Sequence, residues 1–279
     1  MKEGRIEYKD RHFTFIECLT EQQTPNAEDE IHAHHDGAEI YEFVDGELYF
    51  AADGNKIEIE RGDIVIITNG VLHRPIIKKE SFYQRRRITV KNSFFISASK
   101  GATYLKQKLD DRRVIKLNKG SSANLECAKL ILRIKMLCEK GDGYSLFCAE
   151  TALTSLFIRA LEECHSASTL SHHATNAEVQ VLVNYIDENI NSKLDYKTLA
   201  KLVHISEKKL YKLFKKETGF TPSKYIKERR IIIAKSLLNS GASPRSAAEA
   251  TGFSDYSTFY RSFISSVGMS PLEYAVSDK

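Results

Sequence analysis

Two hydrophobic periods divide the chain. Over residues 12–97 the apolar residues come in short runs, HFTFIECLT, EIYEFV, ELYFAA, KIEIE and DIVIIT, separated by the turn signals VDGE, ADGN and RGD. Such runs with close turns predict β-strands, and many of them together predict a sandwich or small barrel. Residues 101–120 follow neither period and stay unassigned. In LECAKLILRIKMLCEK, residues Leu130, Ile134, Leu137 and Cys138 recur at helical spacing, so 122–164 predicts two helices broken at KGDGY. Residues 166–177, SASTLSHHATNA, are small and polar and predict a linker. From Glu178 onward every segment reads as helix.

The helical third repeats itself. TGFTPSKY at 218–225 and VGMSPLEY at 267–274 place Gly219/Gly268, Pro222/Pro271 and Tyr225/Tyr274 at one common offset. Glycine after a helix reaches the left-handed conformation cheaply. The next residue, Phe220 or Met269, can fold back on Phe214 or Phe263. Thr221 and Ser270 fit as N-caps ahead of a proline at the first helical position, and Ser270 with Glu273 makes a capping box. Upstream, LAKLVHIS aligns with AAEATGFS: Ala200 and Ala248 are small where one helix crosses another, and Ser206 and Ser254 fit as caps of the following helices. This is the grammar of a helix-turn-helix, present twice and joined by one long helix, PSKYIKERRIIIAKSLLNS.

On a helical wheel from Ser206 to Glu217, Leu210, Leu213 and Phe214 form one face. Lys208, Lys212 and Lys215 lie opposite, flanked by Lys209 and Lys216. A lysine face alone is usually only a solvated face. Coupled to a repeated helix-turn-helix it points to duplex DNA, with polar residues at base edges and lysines on phosphates. The second such helix, Ser254 to Ser266, presents Ser257, Thr258, Arg261 and Ser265, with Arg261 its one cation, able to read guanine bidentately or to stand as a surface arginine.

Charge sharpens this. The net charge of the 279 residues is +4, but residues 176–279 hold 16 Lys+Arg against 11 Asp+Glu, while the rest is close to neutral. A basic C-terminal third permits a polyanionic partner. The five cysteines form no CxxC pair and read as reduced thiols. The N-terminus has no apolar targeting core, and no segment approaches the length of a membrane span, so a cytoplasmic location is expected.

The two motifs and their linking helix, about 100 collinear residues, resemble the AraC/XylS family of bacterial transcription regulators. The resemblance implies two reading helices, Ser206 to Glu217 and Ser254 to Ser266, entering successive major grooves about one helical turn apart. Departures from the family pattern are Pro244, Ala247, Ile264 and Ser265. Residues 122–164 fall where the family places a helical dimer interface, which implies a homodimer. RNA polymerase stands as a further partner.

In the N-terminal half, HAHHDGAEIYEFVDG and GDIVIITNGVLH resemble the two halves of the cupin pattern, with Thr68 and Ile77 departing from it. His32, His34, Glu39 and His73 occupy positions that bind one ion in metal cupins, and two imidazoles at i, i+2 do share a strand face. Three readings stay open. His32, His34, Glu39, Tyr41, Phe43 and His73 line a pocket for a small-molecule effector, a sugar by family analogy; or they are barrel residues without a ligand; or His32, His34, Glu39 and His73 hold a metal. The first is preferred. His12 and His35 read as surface residues, and the run Arg85–Arg87, in a β segment, points to alternate faces rather than forming one patch.

The expected fold class is α+β multidomain: a cupin-like β-barrel regulatory domain (1–100), a connecting and helical dimerisation segment (101–165), a linker (166–177) and an all-α DNA-binding domain (178–279) with helix-turn-helix units near 196–217 and 244–267. The expected function is effector-controlled transcription regulation, without a catalytic residue or a cofactor. The rival is a metal-dependent cupin enzyme or metal sensor with a helical appendage.

Overall fold

The computed structural model describes residues 4–23, 37–77, 81–97, 100–166 and 176–277. Nine strands run through the first half: β1 (Gly4–Lys9), β2 (Phe13–Gln23), β3 (Gly37–Asp45), β4 (Leu48–Ala52), β5 (Asn55–Glu58), β6 (Ile64–Ile67), β7 (His73–Ile77), β8 (Ser81–Lys91) and β9 (Val114–Leu117). They form a six-stranded sheet of order β1-β2-β8-β3-β6-β9 and a three-stranded sheet of order β5-β4-β7. The paired strands are antiparallel. The expected barrel takes this form: two sheets share one core of Tyr41, Phe43, Leu48, Phe50, Val65, Ile67 and Tyr83.

Alternation of side chains along the strands sends the other face of the large sheet into a second core. Phe13, Phe15, Ile40, Ile64, Ile66, Ile88 and Val90 pack there with residues of α3 (Ser122–Lys140) and α4 (Gly143–Ser166). These two are the helices expected over 122–164, broken at Gly141, which sits at φ 68° and closes α3. Cys127 and Cys138 belong to this core, and burial pushes their thiols up to about 12 and about 11, as inert packed cysteines require.

Three expectations change here. Residues 92–97 are helix α1 (Asn92–Ser97) rather than strand, with Phe94 and Phe95 in the core beside Phe157. The unassigned 101–120 resolves into α2 (Lys100–Asp110) and β9, which completes the large sheet beyond β6. His12 is buried rather than on the surface. It lies at the start of β2, with Nδ1 3.1 Å from Ser93 Oγ and Nε2 3.7 Å from Glu150 on α4.

At the edge of the helix-covered face, Glu17 meets Arg86 at 2.8 Å and Lys135 of α3 at 2.6 Å, and Arg86 also meets Glu42 at 2.9 Å. Burial alone would raise the Glu17 carboxyl. The hydrogen bonds from Lys135 and Arg86 outweigh it and hold the carboxyl below its ordinary value. The stability this pairing supplies is present above the unfolded carboxylate range and is lost as pH falls through the lower folded value. Glu17→Gln is therefore expected to lower the melting temperature at pH 7. The gap to wild type should narrow as melts are repeated towards pH 3; a pH-independent gap would remove the ionic explanation.

The C-terminal part is helical: α5 (Ala177–Glu188), α6 (Tyr196–Leu202), α7 (Glu207–Thr218), α8 (Pro222–Asn239), α9 (Pro244–Ala250), α10 (Tyr256–Val267) and α11 (Pro271–Ser277). The helices make two cores. One joins α5, α6, α7 and the start of α8; the other joins the end of α8 with α9, α10 and α11. The long α8 belongs to both and holds the two units together.

Candidate nucleic-acid interface and barrel site

Each helix-turn-helix is built by local chemistry. Ser206 Oγ accepts from Lys209 N and starts α7. Leu210 and Phe214 are buried, while Lys208, Lys209, Lys212, Lys215 and Lys216 are exposed, as the wheel predicts. Gly219 ends the helix at φ 74°. Thr221 caps α8 with Pro222 following, and Phe220 packs against Tyr225 with ring centroids 6.0 Å apart. In the second unit Gly268 closes α10 at φ 83°, and Ser270 and Glu273 exchange both bonds of the capping box. The crossing residues Ala200 and Ala248 are both buried.

Two details of the second unit differ from expectation. The cap of α10 is Asp255, not Ser254: the Asp255 carboxylate accepts from Thr258 N at 2.7 Å and from Thr258 Oγ1 at 2.9 Å, and Ser254 only donates to it. A carboxylate reaching both donors displaces the neighbouring serine as cap. Met269 stays 39% exposed, so the fold-back cover seen at Phe220 is weaker here.

On α10, Ser257, Arg261 and Ser265 are exposed and Thr258 is half-buried. Thr258, Arg261, Ser262 and Ser265 line a groove of about 340 Å³ together with Lys227 from α8. Lys227 went unrecognised in the sequence because it belongs to the linking helix; only packing brings it beside the less basic reading helix.

In the barrel, Glu39, Tyr41 and Phe43 do share one face of β3, and His73 of β7 meets them. His73 Nδ1 lies 2.9 Å from the Val71 carbonyl oxygen, which leaves Nε2 to meet Glu39 Oε2 at 2.9 Å. Glu39 Oε1 lies 3.2 Å from Arg87 Nε and accepts from Thr89 Oγ1 at 3.4 Å. Tyr41 is fully buried against Phe43, Phe50 and His73. Burial, then the Glu39 charge, push its phenol well up, so it is neutral. His32, His34 and His35 lie outside the described residues.

Among the described residues no group of three metal-binding side chains occurs. The described part of the metal set, Glu39 and His73, fits an ion pair instead: Arg87 already supplies the cation beside Glu39, and a divalent ion there would face a like charge. Arg85–Arg87 alternate as expected, Arg86 to the helix-covered face and Arg85 and Arg87 to the barrel.

The first helix-turn-helix unit packs on the outer face of the small sheet. Arg74 of β7 donates to the Gly219 carbonyl at 3.1 Å, and Tyr49 of β4 donates to the Lys216 carbonyl at 3.2 Å. A Cβ on Gly219 would meet Ile76 at 2.9 Å; one on Gly268 would meet nothing within 4 Å. The β4–β5 turn, Asp53–Gly54, reaches α5 and α8. Arg229 of α8 donates to both Asp187 carboxylate oxygens at 2.8 and 2.9 Å and to the Gly70 carbonyl at 3.1 Å, and lies 3.8 Å from Asp53, which Arg113 also pairs with. Sequence reasoning missed this clamp, whose members are far apart in the chain.

Two helix-turn-helix units on a shared helix, with an exposed lysine row, follow a double-sheet domain, the arrangement of a nucleic-acid-reading unit fused to a second domain. The comparisons agree in both halves. Residues 199–276 match the family described as Helix-turn-helix domain and residues 20–81 the Cupin domain. The chain is 34% identical over 92 residues to the probable transcriptional regulator LumQ of Photobacterium leiognathi, covering 33% of this chain and 37% of that one. It is 32% identical over 100 residues to the XylDLEGF operon transcriptional activator of Pseudomonas putida, covering 34% and 31%. The matched region thus spans about a third of the length of these relatives. Among solved structures, ToxT of Vibrio cholerae aligns over 96% of this chain and 98% of its own at 14% identity and a TM-score of 0.42. The DNA-binding domain of AdpA, solved with a target DNA, aligns over 34% and 87% at 26% identity and a TM-score of 0.34. With a cupin domain followed by a helix-turn-helix domain, this chain is similar in both halves to regulators of the AraC/XylS type.

Proposed function

We propose that the protein is a transcription regulator that binds duplex DNA through α7 and α10 and answers to a small molecule held in the barrel. The observation that carries this is the exposed row Lys208, Lys212 and Lys215 on a helix whose opposite face is fixed in a helix-turn-helix core. Lys209 and Lys216 flank it, and Ser206 sits at its start as cap. On α10 the reading residues are Ser257, Thr258, Arg261 and Ser265. The test is fluorescence anisotropy with promoter-length duplexes over a range of salt. The logarithm of the affinity should fall linearly with log salt because lysine–phosphate contacts release counterions. A salt-independent or absent interaction would sink the reading. RNA polymerase is proposed as a second partner, supported by relatives named as operon activators.

Glu39, Tyr41, Phe43 and His73, with His32 and His34 from the sequence, are proposed as the effector wall. The fused reading domain and the ion-paired Glu39 favour this over the metal-dependent enzyme. No described helix is long and apolar enough to cross a membrane.

Homodimerisation through 122–164 is proposed on an exposed apolar stripe. On α3 it comprises Leu125, Leu132 and Met136, and on α4 Tyr144, Phe147 and Ile158, spaced three, four, seven or eleven apart and so on one helical face. Arg159 meets Glu126 at 2.9 Å across the pair, so the helices run antiparallel and the two stripes lie side by side. Met136 and Phe147 are 63% and 65% exposed, so charge there does not touch the monomer core. Met136→Glu with Phe147→Glu is expected to give a folded monomer by light scattering where wild type is a dimer. A dimer of unchanged strength would move the interface elsewhere.

A further inference from the structure

The two reading units do not stand alike to the barrel. Among the described residues, the core of the second unit draws only on residues from Ile231 onward. The core of the first takes in one residue from far outside it. Leu72, in the loop between β6 and β7, is fully buried in the cluster of Leu182, Val183, Ile186, Leu210 and Phe214. Its neighbours turn the other way: Val71 is buried in the barrel core, and His73 meets Glu39 inside the barrel. Three consecutive residues thus belong to the barrel, to the reading unit and to the barrel again. The backbone of Leu72 is held from both sides by Asp53, whose carboxylate accepts from Leu72 N at 3.0 Å and whose N–H donates to the Leu72 carbonyl at 2.7 Å. The turn that carries Asp53 is itself pressed on α5, where a Cβ on Gly54 would meet Val183 at 2.6 Å. A leucine in a close-packed core fills space that its neighbours cannot fill without rearranging.

We propose that the barrel governs the first reading unit alone, and does so through Leu72: the core behind α7 is complete only while this leucine is seated in it. Leu210 and Phe214, which fix the inner face of α7, lie in the same core. Withdrawing Leu72 therefore loosens the helix that carries Lys208, Lys212 and Lys215. α10 is anchored by Phe259 and Phe263 in a separate core and keeps its place. Because Leu72 directly precedes His73, a shift of the His73–Glu39 pair bears on the seat. The two hydrogen bonds to Asp53 make the loop and the β4–β5 turn move together. Packed cores switch between discrete arrangements rather than deforming continuously, so a small displacement suffices. This inference rests on the reading of α7 as a DNA-binding helix.

The test compares full-length Leu72→Ala with wild type by fluorescence anisotropy on a promoter-length duplex over a range of salt. The variant should bind at least about tenfold more weakly at 0.1 M salt, and its slope of log affinity against log salt should fall by up to about 2.7, the share of the three α7 lysines. A variant that is merely less folded loses active protein equally at every salt and keeps the slope. Leu72→Met, of similar volume, should restore both affinity and slope. Should Leu72→Ala not fold, Leu72→Val, a smaller deletion, is read in the same way. Val71→Ala, in the same loop but directed into the barrel, should keep the wild-type slope. Hydrogen exchange followed by mass spectrometry supplies a second measure. In the Leu72 deletion, exchange should quicken through α5, α6 and α7 and stay unchanged in α10 and α11. In wild type, the duplex should slow exchange at the amides of Leu72 and Asp53 more than in β1 and β2, because coupling between two sites is reciprocal. An unchanged salt slope in the Leu72 deletion, a slope lost equally in Val71→Ala, exchange quickened equally in both units, or no slowing at Leu72 while α7 slows overturns the inference and leaves DNA binding intact. If wild type binds no duplex, the DNA-binding reading falls and the inference falls with it.

Discussion

Replacing Lys208, Lys212 and Lys215 together with glutamine is expected to reduce DNA affinity by roughly a hundred- to a thousandfold at 0.1 M salt. Each phosphate neutralised contributes about 0.9 to the slope of log affinity against log salt, so three lysines account for about 2.7. Near 1 M salt counterion release contributes little, and wild type and variant should converge there. The loss should be the same for every duplex sequence, since phosphates carry no sequence. The three positions are exposed and opposite the buried Leu210 and Phe214, so the fold is untouched, and the melting temperature serves as the control. Arg261→Ala should behave differently and change the preference at one base position, since the one cation of α10 can read a guanine edge bidentately. An unchanged salt slope in the triple variant would mean that this face of α7 looks into solvent. A sequence-independent loss for Arg261→Ala would make it a phosphate contact.

Arg229→Met is the second large effect. The arginine is 11% exposed at its side chain and joins α8 to α5 and, through Gly70 and Asp53, to the barrel. Its removal leaves Asp187 and Asp53 without their shared cation, and breaking such a pair from one side costs roughly 3–5 kcal/mol. Burial already pushes the Asp187 carboxyl above its ordinary value despite the arginine. A carboxyl with a raised folded value stabilises the fold while protonated and loses that contribution as pH rises through the folded value. The deficit of the variant should therefore be deepest at neutral pH and should shrink in acid, the same direction as for Glu17→Gln. Calorimetry should show the unfolding of wild type splitting into separate barrel and helical transitions in the variant. A melt indistinguishable from wild type would show that the clamp holds nothing.

The two units illustrate how much of the site was legible. Ser206, Thr221, Ser270, Glu273, Gly219 and Gly268 act within a turn of their own positions, so their roles could be read directly, as could the parity that groups Glu39, Tyr41 and Phe43. Asp255 was missed because its neighbour Ser254 has the same capping chemistry, and only the backbone geometry chooses between them. Helix α1 was missed because Phe94 and Phe95 fit a strand pattern as well as a helix; packing on Phe157 decides.

The sequence by itself determined the double helix-turn-helix, the lysine face, a strand-rich N-terminal domain and the apolar helices between them. These depend on hydrophobic period, caps and turn residues, which operate over a few positions. The tertiary structure alone decided that the first unit, not the second, rests on the barrel, that Arg229 ties the two together, and that Lys227 joins the second reading helix. The physical reason is range: a cap or a helical face is a property of adjacent residues, whereas the burial and pairing of a charge depend on elements brought together from distant parts of the chain.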